Sequence, residues 1–389
     1  LPQRSNSKPP NASRLSAAYT AKELGSSRLS APRRKSSMPI DRSLLGTHTR
    51  HGIMPGPRGY VGAKINQDRG VVYWPYNNSF NEALLCVFDG HGSRGEKVAE
   101  ICMEQIPLRL EADHAKLRDD PGGVLTSTVV QFDRELLSGS LGPYAHTCGT
   151  TSIIVYIRGG ACWTACSGDS RAVLGRLNRG RYEAVDLSED CKPDTPAEME
   201  RIHAAGGTVS PAQGGRPSRV WANGRIGLAM SRSIGDGECK RRAPPDPRPE
   251  GARMRCDPPI SPRRYGVIPD PEIKRFELQP AADGARDGDK FIIVASDGVW
   301  EFISSAEAVD IVAASGDASN ACAELVQKAA LRWKVNEGNY RDDITAIVAY
   351  LPFLQPSWDE EEEPTPEVRA RCNHAAATSH SAAITAAGG

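Results

Sequence analysis

The sequence contains no apolar run that approaches the roughly 20 residues needed to cross a bilayer. Apolar runs such as Leu84–Phe88 and Phe291–Ala295 have the length of β-strands. The chain also has no excess of either charge, because 48 basic and 48 acidic residues cancel to a formal net charge of 0. We therefore expect no transmembrane segment and no nucleic-acid partner, since a nucleic-acid binder usually carries a clear basic excess.

Cysteine pairs are also missing. None of the 10 cysteines forms a C-x-x-C pair, so the sequence predicts neither a zinc site nor a disulfide framework. Unpaired, scattered cysteines are typical of reduced thiols, which predict a location in the cytoplasm, the nucleus or both.

The two ends of the chain and one internal segment are poor in large apolar residues. Residues 1–58 hold 11 Lys and Arg against two acids, and we expect a disordered basic Ser/Arg-rich tail over 1–57. Residues 356–389 begin with the acidic run Asp359–Glu363 and continue rich in alanine, which predicts a second disordered tail. The folded domain is then 58–355. A Pro/Arg-rich insertion at about 237–264 contains seven prolines and eight Lys and Arg.

Within the predicted domain, short apolar runs cluster in groups and alternate with few helical segments. This order favours an α+β fold of antiparallel sheets flanked by helices. Thr195 and Pro196 predict the start of one helix, with the Thr195 hydroxyl as its cap and Glu198 as a support for that cap. The strand-like runs are Leu84–Phe88, Ser152–Ile157, Ala161–Cys166, Ala172–Leu174, Phe291–Ala295 and Thr345–Tyr350. The helix-like stretches are Gly95–Glu104, Val124–Leu137, Pro196–Ala205, Ala306–Ala314 and Asn320–Lys334.

Several carboxylates stand where predicted strands begin or end. One apolar run ends directly in Asp89-Gly90-His91, where the glycine lets the backbone turn and the histidine adds a titratable group. Each motif alone fits an ordinary turn. Together they form an oxygen-rich set that suits Mg²⁺ or Mn²⁺. The other members of this set are Asp68, Asp169, Asp297 and Asp342.

These motifs, in this order, resemble the metal-dependent protein serine/threonine phosphatases of type 2C. The resemblance includes eight motifs in family order, which makes it highly specific. The motifs are Phe88–Gly92, Cys148–Thr151, Ser167–Val173, Asp190–Pro193, Arg201–Gly207, Leu228–Asp236, Ala295–Trp300 and Asp342–Thr345.

The resemblance implies a four-layer α-β-β-α sandwich with a two-metal centre at one end. Asp89 would bridge both ions, the Gly90 carbonyl would bind one, and Asp297 and Asp342 would complete the other ion's shell. Asp68 would act near the second ion through water, and Asp169 with Asp297 would hold a third, weaker ion. A hydroxide bridging the two Mg²⁺ or Mn²⁺ ions would attack the phosphorus of phosphoserine or phosphothreonine, with no phospho-enzyme.

Two further roles follow from the same resemblance. His91 would be the general acid that protonates the leaving alkoxide, through water. Many members use an arginine to hold the substrate phosphate, whereas this chain has Ala63 followed by Lys64. Lys64 is then either the phosphate contact or a solvated surface lysine. Gln67 replaces a common glutamate, and we expect this change to tune the metal site.

The alternative hypothesis is a pseudophosphatase, which would have the same fold but act as a regulatory binding module without turnover. The presence of Asp89, His91, Asp297 and Asp342 favours the active enzyme. We expect a monomer whose partners are phosphorylated proteins.

Overall fold

Two antiparallel β-sheets pack face to face in the described part of the chain. The computed structural model describes residues 18–20, 43–77, 79, 81–139, 143–222, 226–240, 265–279 and 287–351. The strands are β1 (Ala18–Thr20), β2 (Leu45–Arg50), β3 (Ile53–Pro55), β4 (Val61–Ala63), β5 (Asp68–Tyr73), β6 (Glu82–His91), β7 (Gly149–Thr150), β8 (Ser152–Arg158), β9 (Ala161–Ser167), β10 (Arg171–Asn178), β11 (Arg181–Asp186), β12 (Thr208–Ser210), β13 (Arg219–Ala222), β14 (Ile226–Leu228), β15 (Ile234–Gly235), β16 (Glu272–Glu277), β17 (Gly288–Ala295) and β18 (Ile344–Tyr350). The α-helices are α1 (Gly95–Ala112), α2 (His114–Asp119), α3 (Pro121–Leu137), α4 (Pro196–Ala204), α5 (Gly237–Lys240), α6 (Asp297–Trp300), α7 (Ser305–Ala313) and α8 (Ala318–Glu337).

The first sheet has the order β1-β5-β6-β8-β9-β16, and β7 and β15 extend it beside the end of β6. The second sheet has the order β11-β10-β17-β18-β2. All strand pairs in both sheets are antiparallel. A three-stranded sheet, β12-β13-β14, and the hairpin β3-β4 stand apart from these two.

The alternation of side chains along the central strands explains the layers. In β6, Leu84 and Phe88 belong to the core beneath α1 and α3, while Leu85 and Val87 on the opposite face are equally buried. Both faces of the strand are therefore covered. In β17, Phe291, Ile293 and Ala295 pack with α7 and α8. The resulting order is helices, sheet, sheet, helices, which confirms the predicted four-layer sandwich.

Each predicted strand and helix coincides with or overlaps an observed one. The cap predicted for α4 is wrong, because the Thr195 hydroxyl donates to the Lys192 carbonyl at 2.9 Å and makes no capping bond. Glu198, expected to support that cap, instead binds Arg201 and Arg232 at 2.6 and 2.7 Å.

The predicted start of the domain at residue 58 is too late. β2 pairs along its whole length with β18, and Leu45 is 1% exposed, so this stretch is part of the second sheet. The short run escaped notice because basic, serine-rich sequence precedes it. β1 also lies in the predicted tail and pairs with the edge of β5.

The predicted insertion begins too early. Gly237–Lys240 forms α5, and the Lys240 ammonium donates to Asp133 Oδ1 of α3 at 2.7 Å, so these residues belong to the fold. Residues 241–264 and the predicted tail 356–389 lie outside the described residues, as does most of 1–42. No helix among the described residues is long and apolar enough to span a membrane.

Candidate active site

Two aspartates face each other at one end of the first sheet. Asp68 opens β5, Asp89 stands near the end of β6, and the strand register pairs them directly. Residues opposite each other in an antiparallel pair have Cβ atoms about 4.5–5.5 Å apart and point to the same face. The pairing therefore brings two predicted site residues together, although they are 21 positions apart in the sequence.

The second sheet supplies two more carboxylates at the same place. Asp297 follows β17 and starts α6, and Asp342 precedes β18. The Ser296 hydroxyl donates to Asp68 Oδ2 at 2.7 Å and accepts from the Thr345 amide at 3.0 Å. This serine links the carboxylate ends of the two sheets, and no local sequence pattern indicates such a role.

Burial and mutual repulsion act on these carboxylates. Burial raises the pKa of Asp68 to about 7, and the charge of Asp343 adds to the shift. Burial also raises the pKa of Asp89 well above its ordinary range, helped by the charges of Asp68, Asp297 and Asp342. Several negative groups are thus close enough to oppose one another's ionisation.

Asp297 and Asp169 connect this cluster to a neighbouring turn. Burial, followed by repulsion from Asp169 and Asp342, raises the pKa of Asp297, while Lys192 and a hydrogen bond with Asp89 oppose the rise. Asp169, in the turn between β9 and β10, is 2% exposed. All five predicted carboxylate ligands therefore interact within one region.

The oxygen atoms left without partners fit a hard cation. Among the described residues, Oδ1 of Asp68, of Asp169 and of Asp297 is buried and accepts no hydrogen bond. Buried acceptors without partners are costly, and an all-oxygen set of this kind suits Mg²⁺ or Mn²⁺. No three His, Cys, Asp or Glu side chains in the described part of the chain already surround a point as a finished metal site. The donor chemistry fits the ions, although the side chains do not stand in a closed coordination shell.

Two lysines partly neutralise the cluster. The Lys64 ammonium pairs with Asp342, and the Lys192 ammonium lies 2.6 Å from Asp169 Oδ2. Burial would lower the pKa of Lys64, but the charge of Asp342 reverses the direction and raises it. The side chain of Lys64 is only 16% exposed, so its interpretation as a solvated surface lysine is wrong.

Gly90 sits where a side chain has no room. A Cβ there would lie 2.4 Å from the Gly95 carbonyl oxygen and 2.8 Å from that of Gln67. Gly90 lies within β6 and pairs with Thr150, so it does not turn the backbone as predicted; its missing side chain instead lets Gly95 at the start of α1 approach the strand. Gln67 Nε2 donates to the Gly92 carbonyl at 2.8 Å, so this side chain braces the turn between β6 and α1.

His91 has a buried acidic partner that the sequence analysis did not single out. His91 Nε2 lies 2.7 Å from Asp236 Oδ2, and Asp236 is 4% exposed. The Ser233 hydroxyl donates to the same carboxylate at 2.6 Å. Burial would lower the pKa of His91, whereas the charge of Asp236 raises it. The other ring nitrogen, Nδ1, is buried and has no hydrogen-bond partner among the described residues.

Asp236 is held firmly in this position. Its backbone has φ +49°, its amide donates to the Cys148 carbonyl at 2.9 Å, and its carboxylate fills the space that a Cβ on Gly149 would need. The motif Gly235-Asp236 was visible in the sequence, but its pairing with His91, 145 positions away, was not.

The family model described as protein phosphatase 2C matches residues 65–337. The chain belongs to the protein phosphatase 2C family. This phosphatase 2C chain is 34% identical over 313 residues to "Probable protein phosphatase 2C 64" of Oryza sativa subsp. japonica. The matched region covers 77% of this chain and 65% of that relative. It is 32% identical to "Probable protein phosphatase 2C 72" of Arabidopsis thaliana, over 74% of the chain and 82% of that relative.

A solved structure shares the fold of this phosphatase 2C chain. The serine-threonine phosphatase 2C of Toxoplasma gondii matches with a TM-score of 0.60 and 20% identity, over 80% of this chain and 96% of that one. The predicted family and fold are confirmed. The chain spans 65% of the rice relative's length, so the activity, substrates and partners of the whole protein are matters of proposal.

Proposed function

We propose that this chain is an active Mg²⁺- or Mn²⁺-dependent phosphatase that hydrolyses phosphoserine and phosphothreonine in proteins. The observation that carries the proposal is the meeting of carboxylates from both sheets, with buried oxygens that accept no hydrogen bond. Such a concentration of negative charge favours divalent cations over an empty site.

The cation ligands would be Asp89, the Gly90 carbonyl, Asp297 and Asp342, with Asp68 contributing through water. Asp169 and Asp297 would hold a third, weaker ion, at the position where Lys192 now contacts Asp169. When bound, two such cations lower the pKa of water to give the nucleophile and neutralise charge on the phosphoryl group, without a phospho-enzyme.

The chain's own residues would then bind phosphate and move a proton. Lys64, displaced from Asp342 by a cation, would hold the phosphate as a point charge. His91 would donate its proton toward the leaving alkoxide, while Asp236 keeps the ring protonated and oriented. A serine or threonine alkoxide is a poor leaving group, so this proton matters most for protein substrates.

The test is dephosphorylation of a phosphothreonine peptide in EDTA, Mg²⁺ or Mn²⁺. We expect turnover that requires a metal and falls by at least about 100-fold in Asp297→Asn. Asp310→Asn is the control, because Asp310 is an exposed aspartate on α7. The pseudophosphatase alternative requires a folded protein that binds the phosphopeptide and turns over nothing with any metal, and that result would overturn the proposal.

We further propose that the enzyme works as a monomer in the cytoplasm or nucleus on phosphorylated proteins. The eight cysteines in the described residues are all free and buried, which supports a reducing compartment. Sedimentation and fractionation of the full-length protein would test both points.

A further inference from the structure

Exposed apolar side chains are concentrated beside the carboxylate cluster. Met54, Tyr60, Val61 and Ile65 are 49%, 76%, 44% and 69% exposed. They fall within twelve positions, yet they are four of the nine large hydrophobic residues that are exposed in the described chain. Scattered single residues of this kind are ordinary, whereas a local group indicates a contact surface. We call residues 53–65, which contain β3 and β4, the hairpin rim.

The hairpin rim is continuous with the proposed site. Ile53 and Arg341 exchange backbone hydrogen bonds at 2.9 and 3.0 Å, which fixes the rim to the residue before Asp342. Lys64 follows β4 directly, and its ammonium pairs with Asp342. Tyr60 lies four positions before Lys64, so at most about 14 Å of extended chain separates them.

The charge of the surrounding segment fits one kind of occupant. Residues 43–67 contain Arg50, Arg58 and Lys64 but no Asp or Glu. A phosphorylated polypeptide brings negative charge at the phosphate, so this segment attracts it electrostatically. Within the described residues, β4 pairs with no strand other than β3, whereas the outer edge of β3 is bridged to Arg341 at Ile53. The outer edge of β4 can therefore receive an extended segment.

We propose that the hairpin rim docks the stretch of substrate polypeptide next to the phosphorylated residue and selects apolar side chains within about four positions of it. This inference rests on the proposed function, because the phosphate must enter the carboxylate cluster for the adjoining chain to reach the rim. Tyr60 and Ile65, the two most exposed of its four large apolar side chains, would make the main contacts.

Two phosphothreonine peptides test the inference. They share one sequence, except that one has Leu and Tyr within four positions of the phosphothreonine and the other has Ser there. We expect the wild type to favour the apolar peptide by about 10-fold in kcat/KM, which corresponds to partial burial of one large side chain. In Tyr60→Ser and Ile65→Ser, the ratio of kcat/KM for the apolar peptide to kcat/KM for the serine peptide should fall toward one.

Val335→Ser is the matched control, because Val335 is 82% exposed on α8 and outside the rim. It should keep the wild-type ratio. The inference is overturned if the wild type shows no preference for the apolar peptide, or if the rim variants keep that preference. It is also overturned if Val335→Ser loses the preference as much as the rim variants do. Self-association that Tyr60→Ser abolishes would also overturn it, since the occupant would then be a second copy of the chain.

Peptide binding separates this inference from the proposed function. Fluorescence anisotropy with the same two labelled peptides reports docking whether or not they are hydrolysed. An enzyme without turnover whose binding still prefers the apolar peptide would refute the proposed function and keep the docking surface. Turnover without any preference for the apolar peptide in binding or in kcat/KM would support the proposed function and refute the docking surface.

Discussion

The contact between His91 and Asp236 gives the sharpest mechanistic prediction. Asp236→Asn keeps the size of the side chain but removes its charge. The 2.7 Å hydrogen bond joins two groups with little exposure, and such bonds to charged groups contribute about 1.5–3 kcal/mol. At about 1.4 kcal/mol for each factor of ten, this predicts a loss of about 10- to 100-fold in kcat on a phosphothreonine peptide.

The leaving group decides whether this loss reflects proton donation. A nitrophenolate leaves readily without a proton, whereas a threonine alkoxide does not. We expect Asp236→Asn to reduce kcat on p-nitrophenyl phosphate by less than about threefold under the same conditions. Because Asp236 raises the pKa of His91, its neutralisation should also move the alkaline limb of the phosphopeptide profile to lower pH.

Equal losses on both substrates would refute this reasoning, since damage to the metal site or to the fold affects every substrate alike. Ser233→Ala is the useful companion, because it removes only the 2.6 Å bond that the hydroxyl donates to Asp236. Ser233→Ala should also lose more kcat on the phosphothreonine peptide than on p-nitrophenyl phosphate, but the loss should be smaller than in Asp236→Asn. Thermal melting of each variant checks that the fold is intact.

Further predictions concern stability. Gly46→Ala puts a Cβ 2.2 Å from the Ala318 carbonyl oxygen and should lower the free energy of unfolding by about 3 kcal/mol. Gly62→Ala is the control, because a Cβ there meets nothing within 4 Å. Equal melting temperatures for the two variants would contradict the place of β2 in the fold. The pKa of Glu198 falls from 4.5 to about 2 because its hydrogen bonds to Arg232 and other neighbours outweigh the effect of burial. Its folded pKa lies below its unfolded value, so its stabilisation, on the order of 3 kcal/mol, is present above pH 4.5 and lost as the pH falls toward 2. Urea unfolding should therefore show a stability gap between wild type and Glu198→Gln at pH 6 that narrows at pH 3, and a constant gap would be inconsistent with this. The pKa of Asp68, raised to about 7, lies above its unfolded value, so the metal-free protein should gain stability as the pH falls through 7. The rise in melting temperature with Mg²⁺ over EDTA should then be larger at pH 8 than at pH 6, and equal rises would count against the coupled carboxylates.

The sequence predicted those parts of the site that depend on local pattern. Asp89 and Asp297 could be found because each follows an apolar run of strand length, and a strand end exposes the next side chain. Gly90 could be found because it directly follows Asp89 in the same motif, and the nearby carbonyl oxygens of Gly95 and Gln67 leave no room for a side chain there.

The parts that were missed depend on contacts between distant segments. Ser296 joins Asp68 across 228 positions and Asp236 joins His91 across 145, and no local pattern encodes either pair. β2 was missed for a different reason. Its residues, Leu45–Arg50, alternate weakly and follow a basic segment, so only its pairing with β18 reveals it as a strand.

The hydroxyl of Ser296 has a wider consequence. It binds Asp68 of one sheet and the Thr345 amide of the other, so the proposed metal ligands come from two separately packed sheets. A cation bound as proposed would join the two sheets, and by linkage any change that loosens the packing between them should also weaken cation binding. Val87→Ala would leave a cavity between the sheets and should therefore weaken metal affinity, although Val87 is not a metal ligand. The affinity for Mg²⁺ would then report how tightly the two sheets pack against each other.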